Sequence, residues 1–290
     1  MALAIGNWSA LNAMPGMDDA EFARWAELLE RRTGVVVPPA RKPFLVTAVR
    51  GRMRETGHTR FDDYYRDLHK MPEGAIEWTT LVDRLTVHET HFFRHQPSLD
   101  LIANEWLPRV VQTGSQTALH AWSVGCSTGE EAFTLAMVLD RHISAIRDAR
   151  IYFGVTATDV SQPALAVGRG GLYPRSKFNE IPPEYRERYA EEIDADSFAI
   201  REPLRKRVGF AQFNLLDVAR APLKRLDLIF CQNVLIYFAR DRRRELLDSL
   251  AGLLKPGGML VLGAGEVTSF AHPQLSRVPH RQALAFLRNR

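Results

Sequence analysis

Ser123-Val124-Gly125-Cys126-Ser127-Thr128-Gly129-Glu130-Glu131 decides how this 290-residue chain is read. Apolar residues precede it (Ala118, Leu119, Ala121, Trp122, Val124), as in a buried strand, and Ala132 to Leu139 reads as a helix. A glycine-rich turn between strand and helix is how open α/β sheets present backbone to a small cofactor. The two acids then set the charge of the ligand. A pyrophosphate against the first turn of the helix would be repelled by Glu130 and Glu131, so the turn suits a cation such as an ammonium or sulfonium. A second reading stays open. Ser127 with Glu130, and Thr128 with Glu131, both fit a capping box, in which the acid only satisfies the helix end.

Moving outward, Asp159 follows the apolar run Ile151–Ala157 at the expected carboxyl end of the next strand. An acid there accepts hydrogen bonds from the ribose of a nucleoside cofactor, or else caps the helix that starts near Ser161. Gly125 and Gly129 lie four apart and lack the G-x-G-x-x-G spacing, which weakens a dinucleotide reading. A nucleoside that carries positive charge and no phosphate describes S-adenosylmethionine. A later strand ends in Cys231-Gln232-Asn233-Val234-Leu235-Ile236-Tyr237-Phe238, with Asn233 at the edge where open sheets hold ligands. Enzymes that methylate exocyclic amines often carry two prolines and an aromatic after such a residue. Val234, Leu235 and Ile236 stand there instead, which argues against a nucleic-acid base methyltransferase.

Composition is 46% hydrophobic, enough for one large or two modest domains. Two cysteines, Cys126 and Cys231, cannot form a disulfide framework and fit a reducing compartment. Met1 to Gly6 carries no basic region of a signal peptide, and no apolar run reaches the roughly 20 residues of a membrane span. The expectation is a cytoplasmic protein without membrane insertion. Net charge is +4, but between Arg31 and Arg60 stand eight basic residues and one acid, Glu55. Such a patch favours an acidic partner, nucleic acid or protein, or is a solvated helix face.

Residues 1–85 read as an all-helical domain. Asp18-x-x-Glu21 opens a helix with Phe22, Trp25 and Leu29 on one stripe, stopped by Gly34. Pro38 and Pro39 start a second, with Leu45, Val49 and Met53 along its inner face. Further helices are expected over Phe61–Leu68 and Glu73–Leu85. After a linker segment, 86–108, the region 109–290 alternates strands and helices. Strands are expected to end in Trp122–Val124, and over Ile151–Ala157, Val208–Phe213, Asp227–Cys231 and Met259–Leu262. Helices are expected around Glu130–Leu139 and Asp241–Leu254, followed by the stop Lys255-Pro256-Gly257-Gly258. This implies an α/β fold with a mainly parallel sheet. A proline-rich interruption from Leu172 reads as a small inserted β-subdomain at about 172–212.

The segment Thr86-Val87-His88-Glu89-Thr90-His91-Phe92-Phe93-Arg94 completes a set of five separated motifs. With Gly125–Glu131, Asp159, Asn214-Leu215 and Asn233–Phe238, it resembles the CheR family of chemotaxis protein-glutamate O-methyltransferases. The resemblance implies an N-terminal helical domain plus a Rossmann-like class I methyltransferase sheet with an inserted β-subdomain. It also implies that Thr90 and Arg94 approach the methionine end of S-adenosylmethionine. Glu131, with Glu130, meets the cofactor near the first turn, Gly125 belongs to the same cofactor-binding set, and Asp159 takes its ribose. Asn214 and Leu215 flank the adenine, while Gln232 and Asn233 close the site. His88 stands where the family usually has Asn, and Gln232 where it usually has Arg.

The implied reaction moves a methyl group to a glutamate of a methyl-accepting chemoreceptor cytoplasmic domain, leaving S-adenosylhomocysteine. Arg94 is expected to hold the acceptor carboxylate, Tyr237 to position it or the methyl group, and no histidine to act as base. His88 and His91 lack the partners of a metal site. Arg41, Lys42, Arg50, Arg52 and Arg54 are expected to meet the acidic receptor helix. The turn Glu191–Phe198 is short, acidic and without glycine, so capture of a receptor's C-terminal peptide is not expected. Two rivals remain at this point: a nucleic-acid methyltransferase, and a catalytically weak cofactor-binding adaptor at a receptor array.

Overall fold

The computed structural model describes residues 16–112, 118–146, 151–267 and 270–289. The reading of Met1–Gly6 lies outside them. The chain divides between Val87 and His88 into two units.

The first unit is helical. Helix α1, Asp19–Thr33, starts with the expected capping box: the Glu21 amide donates to Asp18 Oδ1 at 2.7 Å and the Asp18 amide donates to Glu21 Oε2 at 3.1 Å. It stops at Gly34, whose φ of 79° favours glycine. Helix α2, Lys42–Thr56, has proline in its first turn, buries Leu45, Val49 and Met53, and ends at Gly57 in the same left-handed conformation. Helices α3, Phe61–Asp67, and α4, Glu73–Leu85, complete the unit around Trp25, which stacks on Tyr64.

The second unit begins with one long helical stretch in three parts: α5, Gln96–Asp100, a π-helical turn, Leu101–Trp106, and α6, Leu107–Gln112. Phe92, Leu99, Ile102 and Trp106 are buried in the same apolar cluster as the sheet. The stretch read as a linker therefore contributes these residues to the core of the second unit.

The main sheet comprises β1 (Ala118–Val124), β2 (Tyr152–Asp159), β6 (Val208–Gln212), β7 (Leu226–Cys231), β8 (Leu254–Leu262), β9 (Leu275–Arg277) and β10 (Leu284–Arg288), in spatial order β6-β2-β1-β7-β8-β10-β9. The first five pair in parallel, and β10 runs antiparallel to β8 and β9. Helix α7 (Glu130–Ala145) lies in one apolar cluster and α11 (Arg240–Leu253) in the other, so both faces of the sheet are covered. Helix α8, Gln162–Gly170, links β2 to the insertion.

The insertion holds a second, three-stranded antiparallel sheet of β3 (Leu172–Pro174), β4 (Ala190–Glu192) and β5 (Ser197–Ile200), in order β3-β5-β4. Two short helices, α9 (Pro183–Tyr189) and α10 (Glu202–Arg205), flank it. The boundary expected near residue 212 is corrected, because β6 pairs in parallel with β2 and belongs to the main sheet. No helix among the described residues is long and apolar enough to cross a membrane.

Candidate active site

Strand β1 lies between β2 on one side and β7 on the other, and the order reverses there. The carboxyl ends of the strands at such a switch point are the usual ligand position in open α/β sheets. The turn after β1 lies at that position. Gly125, Ser127 and Gly129 have φ of 67°, 49° and 97°. At Gly125 a Cβ would fall 2.5 Å from Val234 Cγ2, so the loop after β7 rests on this turn and only glycine fits.

Non-glycine Ser127 is held in its left-handed conformation by bonds on two sides. Its amide donates to Asp159 Oδ2 at 2.9 Å, and its hydroxyl donates to the His88 carbonyl at 3.2 Å. The other Asp159 oxygen accepts the Ser161 amide at 2.9 Å. Ser161, not Asp159, caps α8, by accepting the Ala164 amide. Each carboxylate oxygen can accept two hydrogen bonds, so Asp159 retains capacity for hydroxyl donors.

The two acids of the turn diverge. Neither forms the capping box, and α7 has no side-chain cap. Glu130 is fully buried. Its Oε2 accepts the Thr128 hydroxyl at 2.6 Å and its Oε1 is ion-paired with Lys177 of the insertion. Its carboxylate is thus turned into the protein. Glu131 accepts the Ser123 hydroxyl at 2.6 Å. Burial pushes its carboxyl up to about 8, opposed by the Ser123 bond, reinforced by nearby Glu266 and opposed again by Arg94. A cation delivered to Glu131 would offset that burial, and Glu131 is the acid of the pair left to meet one.

Arg94 is exposed, with Nη1 donating to the Glu89 carbonyl at 3.1 Å, and its charge reaches Glu131. Thr90 is buried, and its carbonyl accepts Lys177 Nζ at 3.0 Å. His91 is turned towards Glu180 and Glu89. Gln232, directly after β7, is buried; its amide nitrogen donates to Ser98 Oγ at 3.0 Å and to the Leu262 carbonyl at 3.2 Å. Both of its protons are spent on tying α5 to the sheet. Asn233 follows with φ 60°. Asn214 accepts the Leu216 amide through Oδ1, and buried Leu215 belongs to the cluster around Trp122. Tyr237 ends the short 3-10 turn Leu235–Tyr237 and packs half-buried against that cluster.

Glu266, unmarked in the sequence reading, organises this rim. Its Oε1 accepts the Leu235 amide at 3.0 Å and its Oε2 accepts the Gly263 amide at 2.7 Å. Burial raises its carboxyl above the ordinary range, while backbone donors from Gly263, Asn233, Ile236 and Leu235 pull it down. The loop carrying Asn233 and Tyr237 is thereby fastened to the end of β8. Its only sequence signal was its place after Gly263-Ala264-Gly265.

The expected basic face of α2 is partly compensated within the first unit. Arg52 is ion-paired with Glu55 and, at 2.6 Å, with Glu77, and these bonds raise its already high pKa. Lys42 meets Asp19 at 2.7 Å, and Arg50 is half-buried with an enclosed Nε. Arg41 and Arg54 are exposed, as is Phe44.

A parallel sheet with an acid-bearing glycine turn at its switch point has the frame of a class I S-adenosylmethionine-dependent methyltransferase. The family model described as CheR methyltransferase, SAM binding domain, matches residues 88–283, and that of the CheR all-alpha domain matches residues 20–86. The chain belongs to the CheR methyltransferase family, and its cofactor is S-adenosylmethionine. It is 28% identical over 263 residues to the chemotaxis protein methyltransferase of Borreliella burgdorferi, covering 90% of this chain and 92% of that one. It is 29% identical over 250 residues to chemotaxis protein methyltransferase 1 of Pseudomonas aeruginosa, covering 86% and 90%. A probable biofilm formation methyltransferase of Pseudomonas aeruginosa is 32% identical over 250 residues, covering 84% of this chain and 56% of that one.

Proposed function

We propose that this chain methylates glutamate side chains of a methyl-accepting chemoreceptor cytoplasmic domain, in sensory adaptation. The observation that supports the reading is the acid-bearing glycine turn at the switch point, with Glu131 there for the donor's cation and exposed Arg94 for the acceptor on a segment that Lys177 ties to that turn. The chemotaxis methyltransferases among its relatives support the same setting.

When bound, S-adenosylmethionine supplies an electrophilic methyl group on a sulfonium. Asp159 takes the ribose hydroxyls, Glu131 the ammonium, Asn214 and Leu215 border the adenine, and Gly125, Thr90, His88 and Asn233 line the approach. Gln232 acts on this site through its hold on Ser98. A glutamate with a pKa near 4.3 is already a carboxylate at pH 7, so no general base is needed. Arg94 orients it so that oxygen, carbon and sulfur lie in line, and Tyr237 limits its movement. With the donor bound, the carboxylate held by Arg94 would take its methyl group, and the carbon–sulfur electron pair would stay on sulfur. A neutral methyl ester and S-adenosylhomocysteine result.

On this reading Arg41 and Arg54 meet the acidic receptor helix, with Arg50 beside them and Lys42 and Arg52 serving mainly inside the helical unit. No capture of a receptor's C-terminal peptide is expected, although the charge argument for this softens. Glu192 is paired with Arg175 at 2.6 Å and Glu191 lies 3.8 Å from Arg201. The shortness of the hairpin and its closed turn, in which Asp194 Oδ1 accepts the Asp196 amide and the Ser197 hydroxyl, support the expectation.

The test is incubation with methyl-labelled S-adenosylmethionine and a receptor cytoplasmic domain, followed by alkaline treatment. Release of labelled methanol is expected. Label in added RNA instead would favour the nucleic-acid rival, and cofactor binding without any transfer would favour the adaptor.

A further inference from the structure

The inserted subdomain touches two parts of the site that are far apart in sequence. Its Tyr173 hydroxyl donates to the Thr128 carbonyl of the glycine turn at 2.8 Å. Its Glu180 accepts the Phe92 amide at 2.9 Å through Oε2 and lies 3.0 Å from His91 Nδ1 through Oε1. Between these, Lys177 reaches both parts at once, donating to Glu130 at the start of α7 and to the Thr90 carbonyl at 3.0 Å. Phe92 packs edge-on against Tyr173, and the Phe93 amide donates to Thr134 of α7 at 3.1 Å.

The geometry has a physical logic. Glu130 lies at 0% exposure, where an unpaired carboxylate is costly, and Lys177 supplies the compensating charge. An ammonium has three donors, and the second bond of Lys177 falls on the backbone of the segment that carries Arg94. One side chain therefore ties the turn facing the donor to the segment facing the acceptor.

We propose that Lys177 is a positioning residue for methyl transfer: it braces the Thr90–Arg94 segment against the glycine turn, and so sets the acceptor-holding guanidinium relative to the donor. This role rests on the functional reading given above. It makes the inserted subdomain part of the alignment machinery rather than an appendage.

Lys177→Met alone would leave Glu130 buried without a partner and could unfold the protein, so the decisive variant is Lys177→Met with Glu130→Gln. The double change removes the charge problem and keeps the brace broken. Its melting temperature and its affinity for S-adenosylhomocysteine are expected to stay near wild type. The rate constant for receptor methylation is expected to fall about tenfold, as for the loss of one charge-assisted hydrogen bond. Hydrogen exchange across residues 88–95 is expected to speed up by a similar factor, and this readout needs neither acceptor nor turnover.

Full recovery of turnover with slow exchange in the double variant would mean that Lys177 serves only as a counter-charge, and would overturn the proposal. Failure of wild type to methylate any receptor domain would defeat the acceptor assignment instead. Exchange in the double variant would still decide the brace.

Discussion

The Ser127 amide donates to Asp159 Oδ2 at 2.9 Å, so the acid at the end of β2 fastens the turn at the end of β1. The residue proposed to read the ribose also holds Ser127 in its left-handed conformation. Asp159→Ala is therefore expected to cost more than the hydrogen bonds of the ligand. Each bond to the charged acceptor is worth about 1.5–3 kcal/mol, so affinity for S-adenosylhomocysteine should fall at least about tenfold. Thermal stability should fall with it, because the Ser127 and Ser161 amides lose their acceptor. Calorimetric titration and melting of the same variant check both parts. Unchanged affinity would remove Asp159 from the cofactor site.

The cofactor role proposed for Glu131 predicts a pH dependence of binding. Burial raises its carboxyl from the ordinary 4.5 to about 8. Between those values the folded protein binds more protons than the unfolded chain, so this group lowers stability as pH rises through the window. A bound ammonium favours the carboxylate, so binding expels the proton. Affinity for S-adenosylhomocysteine should rise from about pH 6 towards 8 by at most about tenfold per unit, then level off. Glu131→Gln should flatten that slope and weaken binding at the upper end. Titrations in buffers of different ionisation enthalpy would report the released proton. A slope that survives in Glu131→Gln would place the titrating group elsewhere.

Glu266 is expected to act through the loop it anchors. In Glu266→Ala the Leu235 and Gly263 amides lose their acceptor in a buried setting, at about 1–3 kcal/mol each. A loss near 3 kcal/mol corresponds to a melting temperature lower by about 10 °C in a unit of this size. Turnover should fall further than the small change in cofactor affinity, since Asn233 and Tyr237 both ride on that loop. Glu266→Gln keeps a carbonyl acceptor and should recover part of both. Wild-type melting behaviour in the alanine variant would show that the loop is fixed by its apolar contacts with the α11 cluster.

Much of this was legible because it is local. The capping box at Asp18 and Glu21, the helix stop at Gly34 and the glycine turn after β1 each lie within a few residues, and each formed as read. The capping-box alternative for Glu130 and Glu131 failed on two counts: the Ser127 hydroxyl reaches the His88 carbonyl, far away in sequence, while the Thr128 hydroxyl donates to the Glu130 side chain rather than capping the helix. Lys177 lies 47 residues from Glu130, in a stretch with no periodic pattern, so only the folded insertion brings them together. Gln232 carried a family expectation and turned inward to Ser98, 134 residues away. Strands β9 and β10 are three and five residues long and antiparallel, too short to stand out against the alternation of the parallel part.

The basic face of α2 separates into two kinds of arginine, and the separation is measurable. Arg52 is enclosed, with 13% of its side chain exposed, between Glu77 and Glu55, and Glu77 also accepts the Tyr64 hydroxyl. Arg52→Ala is expected to destabilise the helical unit by about 3 kcal/mol, because Glu77 is left without its cation in a partly buried site. Arg41 and Arg54 are exposed and make no such demand on the fold. Reversing both to Glu should leave melting and S-adenosylhomocysteine affinity unchanged. Exposed charges act mainly on encounter, within a screening length of about 8 Å at physiological salt. The double reversal should therefore lower kcat/KM for receptor methylation and flatten its decline with added salt. If the reversed protein keeps both the efficiency and the salt dependence of wild type, then Arg41 and Arg54 are solvated charges, and the acidic receptor helix is met by another surface.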